Sequence, residues 1–230
     1  MIFDAFDRIR IINLPHRRDR RAEMEAEIVR VGLAGDPRVA FFAAFRPEDA
    51  GDFTSIGAHG VYLSQRAILN EAAAAGESVL ILEDDCDFTV AAATYDAPTG
   101  WDIFYGGYEA SDPADLAGSD IIGAHMMGFS AAGARAMSDY LRELTYQGIH
   151  PPIDGVYVWF RRAHPAVRTH FAVPPLAHQR PSRTDIAELA FFDRWPILRR
   201  LAGWARKVKR HVVRRRRQTA PTGISGVGFR

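Results

Sequence analysis

Four carboxylates, Glu83, Asp84, Asp85 and Asp87, stand within five residues directly after the run Ser78-Val79-Leu80-Ile81-Leu82. A run this apolar has the form of a strand buried on both faces, so the acids sit at its end. Like charges so close repel one another, and they either raise each other's pKa or gather a cation. An all-oxygen ligand set suits Mg²⁺ or Mn²⁺, hard cations that keep positions open for phosphate oxygens. With strand alternation continued past Leu82, Glu83 and Asp85 share one side, and Asp84 takes the other. Glu83 and Asp85 are therefore the candidate metal ligands. The competing reading is an acidic turn that caps the strand and faces water.

The elements that must position these groups alternate along the chain. Residues 8 to 14 read as a first strand ended by Pro15, residues 17 to 33 as a helix, and residues 39 to 45 as a second strand. A polar loop over residues 46 to 57 leads to a helix ending at Gly76, and the apolar run before Glu83 is the next strand. Further strands are expected at residues 101 to 105 and 121 to 129. Ser130 is a candidate N-cap for a helix reaching residue 146, and a short helix spans residues 151 to 162. This order predicts an α/β fold with a mainly parallel central sheet flanked by helices. Ligands of such sheets bind outside the carboxyl ends of the strands, where Asn13 and the acidic cluster meet.

The length of 230 residues and 47% hydrophobic composition suit one globular domain with an appendage. The single cysteine, Cys86, forms no internal disulfide, so a cytoplasmic setting is expected. No signal or transit peptide is expected, and no run approaches the ~20 apolar residues of a membrane span. The formal charge of +1 conceals an asymmetry. From Arg194 onward stand 12 Lys and Arg and no acids, leaving 17 bases against 28 acids before it. Trp195, Ile197, Leu198, Leu201, Trp204, Val208 and Val212 recur at near-helical spacing among those bases. The expected organisation is a catalytic domain over residues 1–193, a basic amphipathic helix over 194–217 and a disordered tail over 218–230. Such a helix suits an anionic membrane surface, which places the protein on the inner membrane face. A solvated terminus, docking on the acidic body and phosphate polymers are the alternatives. No nucleic-acid partner is expected.

The ordered series Ile11-Ile12-Asn13-Leu14, Leu63-Ser64, Leu80-Ile81-Leu82-Glu83-Asp84-Asp85-Cys86, Trp101-Asp102, Pro152-Ile153-Asp154 and Pro174-Pro175-Leu176-Ala177-His178-Gln179 resembles glycosyltransferase family 25. That family includes lipooligosaccharide galactosyltransferases. The resemblance implies a GT-A-like nucleotide-sugar-binding fold, a UDP-sugar donor, Mn²⁺ or Mg²⁺, inversion at the anomeric carbon and a saccharide or lipid-linked acceptor in lipopolysaccharide biosynthesis. It makes Glu83, Asp84 and Asp85 the metal- and ribose-binding acids, with Asp84 on the donor. Two positions depart from the family pattern, with Val61 where Cys is common and Gln65 where His is common.

The remaining candidates are weighed against structural roles. Of Arg17, Arg18, Arg20 and Arg21, Arg20 fits the family pattern as a diphosphate contact, since guanidinium binds phosphate oxygens bidentately; a salt bridge is the alternative. Asn13 reaches the nucleotide or holds a turn. Ser64 faces the donor or is a helix-interior hydroxyl. An inverting transfer needs a base for the acceptor hydroxyl, and Asp154, ahead of Tyr157, Trp159 and Phe160, is the candidate; its alternative is an N-cap. His178 and Gln179 are candidates near the metal or acceptor, or ordinary loop residues. His16, His59 and His125 read as structural. The rival functions are a catalytically silent glycan-binding or scaffold relative, and a metal-dependent phosphohydrolase or nuclease.

Overall fold

A computed structural model describes residues 1–180. The basic helix, the disordered tail and the last part of the expected catalytic domain lie outside the described residues. After a short 3-10 turn at Ile2–Ala5, the order is β1 (Arg8–Asn13), α1 (Arg18–Arg30), β2 (Val39–Ala43), α2 (Ile56–Ala75), β3 (Val79–Glu83) and β4 (Cys86–Phe88). There follow β5 (Ile103–Ala110), β6 (Ile121–Phe129), α3 (Ala131–Glu143), α4 (Ile153–Ala163), β7 (Thr169–Phe171) and β8 (Ala177–Gln179).

The central sheet has the order β2-β1-β3-β6-β5-β7. β1 pairs in parallel with β2 and β3, and β5 in parallel with β7, while β6 runs antiparallel to both β3 and β5. Five strands thus share one direction and β6 opposes them, so the fold is mixed α/β with a mostly parallel sheet. A separate ribbon pairs β4 with β8.

β3 is the central strand, and its alternation explains its composition. Val79 and Ile81 enter one core, with Ile68, Leu69, Met127, Phe129 and Tyr157; Leu80 and Leu82 enter the other, with Ile9, Ile11, Met24 and Phe104. A strand with both faces covered has no room for a polar position until it ends, which is why the first carboxylate is Glu83. Ser130 caps α3 as expected, its side chain accepting a hydrogen bond from Gly133 N.

One expectation changes. α2 begins at Ile56, inside the segment read as loop, because Ser55 caps it by accepting from Ala58 N. Gly106-Gly107 lies within β5, at an irregularity of the β5–β6 ladder. A Cβ at Gly107 would come within 2.4 Å of the His125 ring, so the glycine is there for close packing.

Candidate functional site

The carboxyl ends of β1 and β3 lie side by side, with Ile12 opposite Glu83. A cavity of about 550 Å³ opens there, bounded by the ends of β1, β2 and β3 and the start of α2. Its lining mixes apolar side chains, Leu14, Phe45, Pro47, Ile56 and Val61, with the charged and polar groups of Glu83, Asp84, Asp85, Arg20, Arg46 and His16. The β2–α2 segment can approach this closely because position 60 has no side chain, as a Cβ on Gly60 would meet Phe45 O at 2.5 Å.

The alternation expected past Leu82 does not hold. β3 ends at Glu83, the chain turns at Asp84 and Asp85, and β4 begins at Cys86. A turn breaks the two-residue period, so all three acids face the cavity. Asp87 departs instead to Arg180, which also pairs with Glu23 and donates its backbone N–H to Asp85 O at 2.7 Å. Arg180 is a clamp on the acidic turn that the sequence did not single out.

Three candidates meet as one buried group. Asp84 Oδ2 accepts from Asn13 Nδ2 at 2.7 Å, and Asp84 Oδ1 accepts from Arg20 Nη1 at 2.8 Å. Arg20 Nη1 lies 3.4 Å from Asp85 Oδ2 as well. The guanidinium therefore supplies part of the positive charge that the cluster demands. A buried carboxylate with charged and amide donors on both oxygens keeps its place, and Asp84 is the keystone between β1, α1 and β3.

Asp85 and Glu83 are less satisfied. Asp85, 3% exposed, accepts from Gln179 Nε2 at 3.2 Å through Oδ2, while its Oδ1 is buried without a hydrogen-bond partner among the described residues. Burial, with Asp84 beside it, raises the Asp85 carboxyl above its ordinary value against the opposing pull of Arg20 and Gln179. Glu83 Oε1 accepts from Gln65 Nε2 at 3.4 Å. Burial first, then the charges of Asp85, Asp154 and Asp84, push the Glu83 carboxyl up to about 8.

That shift has a measurable sign. Between pH 4.5 and about 8 the folded state holds a proton on Glu83 that the unfolded chain has released, so stability falls as pH rises through this window. Glu83→Gln removes the penalty and keeps the oxygen that receives Gln65. The variant is expected to lie close to wild type near pH 5 and to be the more stable of the two at pH 8, read from urea unfolding at the two pH values. A constant difference across the range would contradict this origin.

The other candidates stand around this centre. Ser64 is fully buried, donates to Gly60 O at 2.7 Å and accepts from Phe45 N at 2.9 Å. It fixes the cavity rim from behind, and its hydroxyl is not on the cavity wall. Asp154 lies in the first turn of α4, where Pro152, not Asp154, is the N-cap. Its Oδ2 accepts from Gly123 N at 3.0 Å and its Oδ1 from Gly155 N at 2.8 Å. Its charge is among the causes of the Glu83 shift, and it is not among the residues that line the cavity. Gln179 reaches Asp85, whereas His178 is exposed opposite Asp87 on the β4–β8 ribbon. His16 lines the cavity. Phe45, Arg46 and Glu48 also lie on the wall, and the signal for them was their place just past the end of β2.

Among the described residues no group of three or more His, Cys, Asp and Glu side chains is arranged to hold a metal ion. Magnesium and manganese are commonly held by one or two carboxylates and completed by water and phosphate. The orphaned Asp85 Oδ1 and the cavity-facing Glu83 fit that pattern.

Neither a protein-family model nor a curated protein matches the chain. Two glycosyltransferases are among the solved structures similar to it. A glycosyltransferase involved in the glycosylation of the major capsid of PBCV-1 shares 11% identity at TM-score 0.47, over 76% of this chain and 95% of that one. The apo-form glycosyltransferase GlyE of Streptococcus pneumoniae TIGR4 shares 10% identity at TM-score 0.41, over 77% of this chain and 55% of that one. This chain thus spans about half the length of the GlyE structure. No helix among the described residues is long and apolar enough to cross a membrane.

Proposed function

We propose that the chain is a metal-dependent, inverting glycosyltransferase similar to family 25, moving a hexose from a UDP-sugar to a saccharide or lipid-linked acceptor. The observation that carries this reading is the cavity at the β1 and β3 ends. Its lining combines apolar side chains that suit a nucleobase with Glu83 and with Asp85, whose Oδ1 is buried without a partner among the described residues, and with Arg20, His16 and Arg46. A site built this way takes a ligand that is flat and apolar at one end and polyanionic at the other.

In this reading Glu83 and Asp85 hold Mg²⁺ or Mn²⁺, which when bound offsets the charge of the departing nucleoside diphosphate. Arg46 adds a cationic donor to the phosphates and His16 an imidazole donor. Arg20, tied to Asp84 and Asp85, supports the acidic turn from behind. Asn13 and Asp84 fix the shape of the donor wall through their mutual hydrogen bond. Asp154 takes the proton of the acceptor hydroxyl, the backbone N–H groups of Gly123 and Gly155 orienting the carboxylate. Gln179 steadies Asp85, and the exposed His178 beside it is the candidate for an acceptor contact.

The test is a panel of UDP-sugars with Mn²⁺, in which one sugar binds and is slowly hydrolysed. Failure of every nucleotide sugar to bind would reject the enzyme. A second reading, a catalytically silent glycan-binding relative, is favoured by Val61 and Gln65, the two departures from the family pattern. It predicts saccharide binding that Mn²⁺ does not change and no donor hydrolysis.

The basic segment from Arg194 onward is proposed to draw the enzyme to anionic lipid at the inner membrane face, near lipid-linked acceptors. Deleting residues 194–230 is expected to reduce sedimentation with phosphatidylglycerol vesicles by about tenfold at low salt, and equal sedimentation would defeat the membrane role.

A further inference from the structure

Gln65 is one of the two departures from the family pattern, and the structure gives it a defined task. It lies on α2, is 0% exposed, and stands between two groups from different parts of the fold. Tyr157 of α4 donates its hydroxyl hydrogen to Gln65 Oε1, and Gln65 Nε2 donates to Glu83 Oε1 at the end of β3. The amide thus presents its NH₂ to Glu83. Its oxygen is then left for the phenol. Tyr157 is itself fully buried against Phe129, which gives this end of the relay a rigid support.

Resting on the nucleotide-sugar reading above, we propose that Gln65 is a positioning residue: its carboxamide, locked in orientation by Tyr157, holds the Glu83 carboxylate toward the cavity for the divalent cation and diphosphate. Hydrogen bonds to a ligating carboxylate from behind commonly change metal affinity by about 10–100-fold. A neutral imidazole also carries one donor and one acceptor, so histidine can make the same two bonds. A purely apolar side chain of similar size makes neither.

The experiment measures Mn²⁺ affinity in the presence of UDP, by the electron paramagnetic resonance signal of free Mn²⁺, alongside thermal melting of each variant. Gln65→Leu is expected to weaken Mn²⁺ binding by about tenfold or more, and Gln65→His to stay within about threefold of wild type. Tyr157→Phe frees the amide to turn and is expected to weaken binding by about threefold, and it decides the matter if Gln65→Leu does not fold. A role confined to packing would lower melting temperatures and leave affinity unchanged, and that outcome overturns the inference. Wild type that binds Mn²⁺ and UDP while Gln65→Leu binds them equally removes Gln65 alone. Wild type that binds neither removes the enzymatic reading together with this one.

Discussion

Asp154→Asn is expected to bind UDP and Mn²⁺ within about twofold of wild type while sugar transfer falls by about a thousandfold, the middle of the range for losing a general base. The two states are nearly the same size. Asparagine keeps one oxygen for Gly123 N or Gly155 N, so the first turn of α4 and its link to β6 lose one of two hydrogen bonds. That costs about 1 kcal/mol, small against a folded domain. What disappears is the second acceptor oxygen and the negative charge that makes the group a base. Donor binding and transfer are measured on the same preparation, by calorimetry with UDP and by product formation from the donor identified in the UDP-sugar panel. Transfer at the wild-type rate would take Asp154 out of the reaction and leave it as a favourable first-turn anion of α4.

The second large effect is expected at Asp85. Asp85→Ala should reduce Mn²⁺ affinity in the presence of UDP by at least about a hundredfold, beyond what loss of an outer hydrogen-bonding partner does. The fold should survive the change. Burial already disfavours the ionised form of Asp85, so deleting it relieves a cost. Arg20 keeps its 2.8 Å bond to Asp84, and Gln179 sits at an exposed position where water can replace the lost partner. Circular dichroism melts within a few degrees of wild type, combined with unaltered Mn²⁺ affinity, would show that Asp85 is only a neighbour of Arg20. Replacing Asp84 instead would strand Arg20 and Asn13 in a buried setting, so loss of function there would be hard to separate from loss of structure.

The contrast between these neighbouring acids shows how much was legible in the chain itself. The run Val79-Leu80-Ile81-Leu82 announces a strand with two covered faces, because no polar residue interrupts it, and the end of that strand had to be where carboxylates become tolerable. The α/β order and its mostly parallel sheet follow from the same hydrophobic periods. So does the N-cap at Ser130, since a hydroxyl ahead of an amphipathic run meets its first free amides.

Where each acid points was a different matter. Strand alternation separated Asp84 from Glu83 and Asp85, but a turn at Asp84-Asp85 follows no two-residue period, and its direction is set by Arg180 and Gln179 from nearly a hundred residues away. Likewise the sequence offered Arg20 as a phosphate ligand and Asn13 as a nucleotide contact; only the packed sheet, which sets β1 beside β3, shows both of them holding Asp84. Local chemistry along the chain determined which elements form and where charge must collect. Pairings between distant residues decided which charges are spent on the protein and which remain for a ligand, because such pairings depend on through-space distances that no spacing along the chain encodes.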